Sequence, residues 1–111
     1  MDSSTTMGPL ITSQAVDSIA AKVEQAVSMG ATSHTGGSRS SLGSNFYEPT
    51  LLTNVPLESD LWKTETFGPV VAIRSFETDE EALEIANDSS VGLASYFCTR
   101  NLNRAFSFSE R

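Results

Sequence analysis

A glycine-proline pair in the second half of the chain restricts the fold more than any other sequence feature. Gly68-Pro69 is followed by an apolar run with β-branched residues, residues 70–76, which is interrupted at Arg74. Proline fixes φ and has no N–H donor, so it is tolerated at the start of a strand but not in the middle of a sheet. The pattern therefore predicts a turn at the pair and a β-strand over residues 70–76.

A carboxylate and an aromatic ring lie two positions apart just before this turn, at Glu65 and Phe67. If residues 65–67 are extended, their side chains alternate, so these two project to the same side and can contact one ligand together. A carboxylate accepts hydrogen bonds from a diol such as a ribose, and an aromatic ring packs against a flat heterocycle. The spacing by itself favours the alternative, a surface glutamate and a core phenylalanine beside a turn, because such pairs are common where a loop meets a strand.

Five short motifs occur in order along nearly the whole chain. The run from Glu65 to Val70 resembles the signature of the aldehyde dehydrogenase superfamily. Four other motifs accompany it in the family's order and with similar gaps: Met7-Gly8-Pro9-Leu10-Ile11, Gly36-Gly37, residues 46–52, and Asn87 with Val91-Gly92-Leu93-Ala94. Residues 6–11 and 42–52 are most similar to the succinate-semialdehyde dehydrogenase branch of that superfamily.

This resemblance implies an activity and two site residues. Members of the superfamily oxidise a small aldehyde to a carboxylic acid with NAD or NADP, through a cysteine nucleophile and hydride transfer to the nicotinamide. Glu65 matches the glutamate that hydrogen-bonds the nicotinamide ribose hydroxyls, and Phe67 matches the aromatic residue that holds the nicotinamide ring. The resemblance implies a homo-oligomeric parent enzyme that acts on a small-molecule aldehyde, with succinate semialdehyde as the expected substrate.

The resemblance also implies that residues 1–111 are a C-terminal part of an aldehyde dehydrogenase catalytic domain, truncated at both ends. The family's nucleophile precedes the Met7-Gly8-Pro9 motif, so no residue of this chain is expected to be catalytic and the chain alone is expected to be inactive. Cys98 follows the 65–70 run and has aromatic neighbours, which predicts a buried, structural cysteine. Two other hypotheses stay open: a non-catalytic remnant with a structural or interaction role, and a small autonomous binding module.

Charge and composition argue against several classes of function. The 14 acidic residues outnumber the 7 basic ones, the net charge is -7, and the basic residues are scattered singly. Nucleic acid and anionic membranes require clustered basic residues, so we expect neither as a partner. One cysteine and one histidine do not make a zinc site, so we expect no metal, and His34 is predicted to be a solvated or hydrogen-bonded surface residue. No targeting segment is visible, and the expected location is intracellular, cytoplasmic or mitochondrial.

Capping residues and apolar periodicity predict three helices. Thr12 and Gly30 bound a helix over residues 13–29. Thr78 and Glu81 form a capping box for a second helix that ends near residue 87. Asn101 caps a third helix, whose predicted inward stripe is Leu102, Ala105 and Phe106.

The other predicted elements are short or extended, and together they give an α/β fold with a parallel-type sheet flanked by helices. Besides the strand over residues 70–76, they comprise a brief strand at 31–35, an extended segment over 46–52 at a sheet edge or crossing the surface, one helical turn near 57–62 and a strand over 92–99.

Overall fold

A computed structural model describes residues 4–111 of the chain. The chain divides into two compact units. Unit 1 is Met1–Ser75 and unit 2 is Phe76–Arg111. The described part of unit 1 contains a sheet and its helices, and unit 2 contains two helices, α3 (Asp79–Asn87) and α4 (Leu102–Ser109).

The first helix of unit 1, α1, is Ser13–Ser28, one residue shorter than predicted. Thr12 caps it as expected, because its Oγ1 accepts a hydrogen bond from the Ala15 N–H at 3.2 Å. Gly30, just after the helix, has a φ of 112°, a conformation that side chains disfavour. The apolar spacing predicts a stripe of Val16, Ile19, Ala20, Val23 and Val27. The first four are buried, but Val27 is 43% exposed and Ala26 is buried instead.

Unit 1 has a three-stranded sheet in the order β1-β2-β3, formed by β1 (Thr32–Thr35), β2 (Thr50–Thr53) and β3 (Val70–Ile73). β2 runs antiparallel to β1 and parallel to β3, so the sheet is mixed and the prediction of a parallel-type sheet is wrong. β3 begins at the predicted residue but is shorter, and the Arg74 guanidinium beyond its end donates to the Val55 carbonyl at 3.1 Å.

The segment over residues 46–52 was expected at a sheet edge, but β2 is the central strand. Pro49 lies one residue before β2, so its missing N–H does not interrupt the ladder. Leu52 is fully buried. After β1 the chain turns through Gly36 and Gly37, whose φ angles of 66° and 78° favour glycine.

The core of unit 1 lies between α1, the sheet and α2 (Asp60–Lys63), which is the predicted helical turn. Leu61 of α2 is buried in this core and Trp62 packs against it. Val70 and Ala72 of β3 also pack against the core, whereas Val71 and Ile73, at alternate positions, are exposed. This period-two pattern is that of a strand with one covered face. The α/β fold class is thus confirmed.

Unit 2 begins with the predicted capping residues. Thr78 Oγ1 accepts from the Glu81 N–H at 3.1 Å, and Glu81 Oε2 accepts from the Glu77 N–H at 2.7 Å. The second bond reaches one residue before the cap instead of the cap itself, but it still satisfies a free donor at the helix start. Asn101 caps α4, since its Oδ1 accepts from the Arg104 N–H at 3.2 Å.

Two predictions for unit 2 are wrong. Residues 92–99 form no strand, because no strand in the described residues pairs with them, and Leu93 and Tyr96 are exposed. In α4, Leu102 and Phe106 are exposed, so the expected inward stripe is absent. Two contacts of this helix are instead made by Phe108, whose ring centroid lies 5.6 Å from that of Phe97, and by Arg104, which bonds Asp79 of α3.

Candidate functional site

The segment that joins α2 to β3 carries the two predicted site residues. Thr64 after α2 is extended, with φ -125° and ψ 143°. Glu65 and Phe67 are exposed, the phenylalanine with 81% of its surface accessible, while Thr66 between them is half-buried. This alternation agrees with the side-chain directions expected of an extended segment. The alternative of a core phenylalanine at this turn is therefore wrong.

Lys22 of α1 fixes the middle of this segment. Its Nζ donates to the Glu65 carbonyl oxygen at 2.9 Å and to Thr66 Oγ1 at 3.0 Å. Both contacts join residues more than 40 positions apart in the chain. The Glu65 carboxylate is not used in this contact, so the lysine holds the backbone while the carboxylate stays exposed.

Gly68 brings the end of the segment against α1. A Cβ built on this glycine would lie 2.2 Å from Ile19 Cδ1, well inside van der Waals contact, so a side chain here would force the buried end of Ile19 to move. The sequence predicted a turn at Gly68-Pro69, and the structure adds a close approach of Gly68 to Ile19. The Pro69 carbonyl then accepts from the Thr50 N–H at 2.8 Å, which joins the segment to β2.

An open hollow of about 270 Å³ lies next to this segment. It is lined by Met7, Thr35, Pro49, Thr50, Leu51, Gly68, Pro69, Val70 and Val71. None of these lining residues is charged, so the hollow suits an uncharged or apolar group and offers no cation for a carboxylate. An exposed carboxylate and an exposed ring beside an apolar hollow are together suited to bind a sugar diol joined to a flat heterocycle.

Comparison with known proteins decides the family. The family model described as "Aldehyde dehydrogenase family" matches residues 1–111, the whole chain. The chain belongs to the aldehyde dehydrogenase family. The resemblance based on five motifs is thereby confirmed, as is its branch, because succinate-semialdehyde dehydrogenases are among the relatives of this aldehyde dehydrogenase chain.

Three relatives illustrate the similarity. The human protein "Succinate-semialdehyde dehydrogenase, mitochondrial" is 50% identical over 97 residues, which are 87% of this chain and 18% of the human protein. The solved structure of succinate-semialdehyde dehydrogenase from Burkholderia pseudomallei is 41% identical with a TM-score of 0.93, over 98% of this chain and 23% of that one. An Escherichia coli "NADP dependent enzyme" is 38% identical with a TM-score of 0.93, over 99% of this chain and 23% of that one. The chain thus spans less than a quarter of each relative's length.

The other chemically active side chains lie away from this segment in sequence. The prediction of a buried cysteine is wrong, because Cys98 is exposed. The strand expected over residues 92–99, which would have placed it in a sheet, does not form. His34 is an exposed, hydrogen-bonded residue as predicted, with Nε2 2.7 Å from Thr53 Oγ1. In residues 4–111 no three His, Cys, Asp or Glu side chains are grouped to hold a metal ion, and no helix is long and apolar enough to cross a membrane.

Sequence reasoning did not find the residues that hold the segment in place. In the sequence, Lys22 lies off the apolar stripe of α1, and Ile19 lies in that stripe. No local pattern links either of them to residues 65–68, because the contacts depend on how α1 crosses the segment. A lysine next to an apolar stripe is typical of any amphipathic helix.

Proposed function

We propose that this chain supplies the nicotinamide-binding segment of an NAD- or NADP-dependent aldehyde dehydrogenase that oxidises an aldehyde to a carboxylate. The observation that carries the proposal is the exposed pair Glu65 and Phe67 on a segment held by α1. The Glu65 carboxylate would accept hydrogen bonds from the two ribose hydroxyls, and the Phe67 ring would support the nicotinamide ring. When bound, the cofactor supplies the hydride acceptor.

We assign no catalytic residue to this chain. Cys98 follows the Glu65–Phe67 segment, whereas by the family resemblance the nucleophile precedes Met7. We therefore propose that residues 1–111 correspond to a late part of the catalytic domain and are inactive alone. The coverage of relatives, less than a quarter of each, supports this placement. DNA sequence upstream of the Met1 codon tests it, with an in-frame cysteine and a glycine-rich βαβ unit as the expected finding.

Succinate semialdehyde is the proposed substrate, and either a mitochondrial or a cytoplasmic location is compatible with the relatives' names. Support for the substrate comes from the human and Burkholderia relatives, both named succinate-semialdehyde dehydrogenase. The apolar hollow beside the segment has no basic residue in its lining. The hollow therefore does not supply the group that binds the distal carboxylate of the substrate.

A grafted enzyme tests the cofactor role of Phe67. In it, residues of this chain replace the matching stretch of human mitochondrial succinate-semialdehyde dehydrogenase, and reduced cofactor is followed by absorbance. Phe67→Ala is expected to lower kcat/KM for the cofactor roughly 2- to 10-fold, as the loss of an aromatic contact of about 0.5–1.5 kcal/mol implies. The control is Phe106→Ala, which removes a ring of unit 2 that is also exposed, with 59% of its surface accessible.

Two results would contradict the proposal. One is a Phe67→Ala grafted enzyme with the cofactor kinetics of its parent. The other is aldehyde-dependent NAD or NADP reduction by the isolated chain, accompanied by labelling of Cys98 with an aldehyde-like alkylating agent, because the reaction would then use a nucleophile that we exclude.

A further inference from the structure

Three side chains on one flank of α1 contact successive points of residues 60–68. Gln25 Oε1 accepts from the Asp60 N–H at 2.8 Å, Lys22 bonds Glu65 and Thr66, and Ile19 meets Gly68. The three positions are spaced three residues apart, the spacing that places side chains next to one another along a helix. The flank therefore runs against the whole length of the segment, in the opposite chain direction.

The Lys22 contact differs in kind from the two that flank it. An ammonium group donating to a carbonyl and a hydroxyl forms charge-assisted hydrogen bonds, which are shorter and stronger than neutral ones. Thr66 Oγ1 also donates to the Thr64 carbonyl at 3.4 Å, so its accepting side is the side that faces the lysine. With Thr66 held inward, its two neighbours in an extended segment face outward.

We propose that Lys22 is a positioning residue for hydride transfer, acting through the Glu65 carbonyl and the Thr66 hydroxyl to aim the Glu65 carboxylate and the Phe67 ring at the cofactor. This inference rests on the proposed function. If the segment turned about its own axis, Thr66 would face outward and Glu65 and Phe67 would face inward. The Lys22 hydrogen bonds oppose this change. Loss of the ammonium group is expected to leave α1 and the core intact, because Lys22 is only half-buried.

The first experiment measures the segment itself, in the isolated chain and without any ligand. Carbonyl-carbon shifts and amide exchange of residues 65–67 are recorded by NMR for Lys22→Met, which keeps the apolar stem, and for Lys22→Arg, which keeps the charge. Lys22→Met is expected to shift the Glu65 carbonyl resonance and to speed exchange at residues 65–67, while Lys22→Arg restores part of the protection. The control, Arg100→Met, removes an exposed cation from unit 2. Unchanged residues 65–67 in Lys22→Met would overturn the proposal.

The second experiment measures the consequence in the grafted enzyme. Lys22→Met is expected to lower kcat about 10- to 100-fold, the range that follows from a misplaced reacting group. An aldehyde deuterated at C1 supplies the readout that a structural role would not change. Slower hydride transfer raises the isotope effect on kcat, whereas a smaller amount of folded enzyme lowers kcat and leaves the isotope effect constant.

Glu65→Gln, measured in parallel, separates the two proposals. If Glu65→Gln is slow and Lys22→Met is normal, the role of Lys22 is wrong and the cofactor role of the segment stands. If both variants are normal, the cofactor role itself is wrong. If both are slow with raised isotope effects and Lys22→Arg recovers part of the rate, both proposals are supported.

Discussion

At the scale of single residues, Tyr47 combines deep burial with an unsatisfied polar atom. The residue is 4% exposed in the core of unit 1, and its hydroxyl has no hydrogen-bond partner among residues 4–111. A buried hydroxyl without a partner costs about 1–3 kcal/mol. Burial raises the pKa of the Tyr47 phenol above its ordinary value of 10.0, and the negative charge of Glu24 raises it further, against a smaller lowering by Arg39.

Tyr47→Phe is expected to leave the free energy of unfolding unchanged or to raise it by up to about 3 kcal/mol at neutral pH, because it removes the unsatisfied hydroxyl. The pH dependence has a definite sign. Since the folded-state pKa is raised, the folded state keeps a proton that the unfolded state loses above about pH 10, so stability falls as pH rises beyond that value. Tyr47→Phe should lack this part of the alkaline loss.

Urea unfolding at neutral pH and above pH 10 measures both effects. The matched control is Tyr96→Phe, because Tyr96 is 92% exposed and its hydroxyl is in water. A Tyr47→Phe protein that is less stable than its parent at neutral pH would show that the hydroxyl has a partner after all.

At the scale of elements, α1 depends on its cap and on its buried stripe. Its first turn has no acidic residue and its last turn has no basic residue, so charges at the ends do not support it. Thr12 therefore supplies the local stabilisation at the start. The same helix holds the Glu65–Phe67 segment. Fraying of its first turns would therefore disturb the helix close to Ile19, which contacts that segment.

Thr12→Ala is expected to lower the free energy of unfolding by about 1 kcal/mol, within a range of about 0.5–2, because the Ala15 N–H loses its acceptor. Thr12 is exposed, so the change removes little packing. Denaturant unfolding of both variants measures the effect. Thr12→Ser keeps the hydroxyl and should stay near the parent; equal losses in the alanine and serine variants would show that the cap is not the cause.

Elements that depend on neighbouring residues could be predicted from the sequence. Elements whose formation or position depends on contacts with distant residues could not. Thr12, Thr78 and Asn101 each accept from an N–H three positions ahead, so a short pattern contained the whole interaction. The central position of β2 depends on two strands elsewhere in the chain. Residues 92–99 have strand-like composition, but a strand needs a partner, and none is present among the described residues.

The candidate site divides in the same way. Alternation within three residues predicted that Glu65 and Phe67 project to the same side, although the spacing alone favoured a core phenylalanine. The Lys22 contact, by contrast, spans 43 positions. No pattern of neighbouring residues predicts the Lys22 contact.

At the scale of the whole molecule, the two units differ in how much they bury. In unit 1, α1 alone has five buried residues, whereas α3 has one, Leu83, and α4 has none. Unit 2 is held mainly by partly exposed contacts. One of them is the two-point bond from Arg104 to Asp79, with Nε 2.9 Å from Oδ2. Water screens this pair, because 38% of the Arg104 side chain and 43% of the Asp79 side chain are exposed.

Amides in α3 and α4 are therefore expected to exchange with solvent faster than those in α1, because local opening is easiest where few apolar side chains are buried. Hydrogen exchange followed by mass spectrometry measures this. Leu83→Ala should speed exchange in α3, while Leu102→Ala, at a residue that is 70% exposed, should not. Protection of α3 and α4 equal to that of α1 would mean that unit 2 is covered by something other than its own side chains.

The cofactor role of Glu65 is tested most directly by single-turnover hydride transfer in the grafted enzyme. Glu65→Gln should slow that step about 10- to 100-fold, as expected when a charged acceptor worth about 1.5–3 kcal/mol is lost. Inhibition by AMP, which reports binding of the adenine end, should change little. The control, Glu58→Gln, alters an exposed carboxylate seven positions earlier. A Glu65→Gln enzyme that transfers hydride at the parent rate would contradict the account.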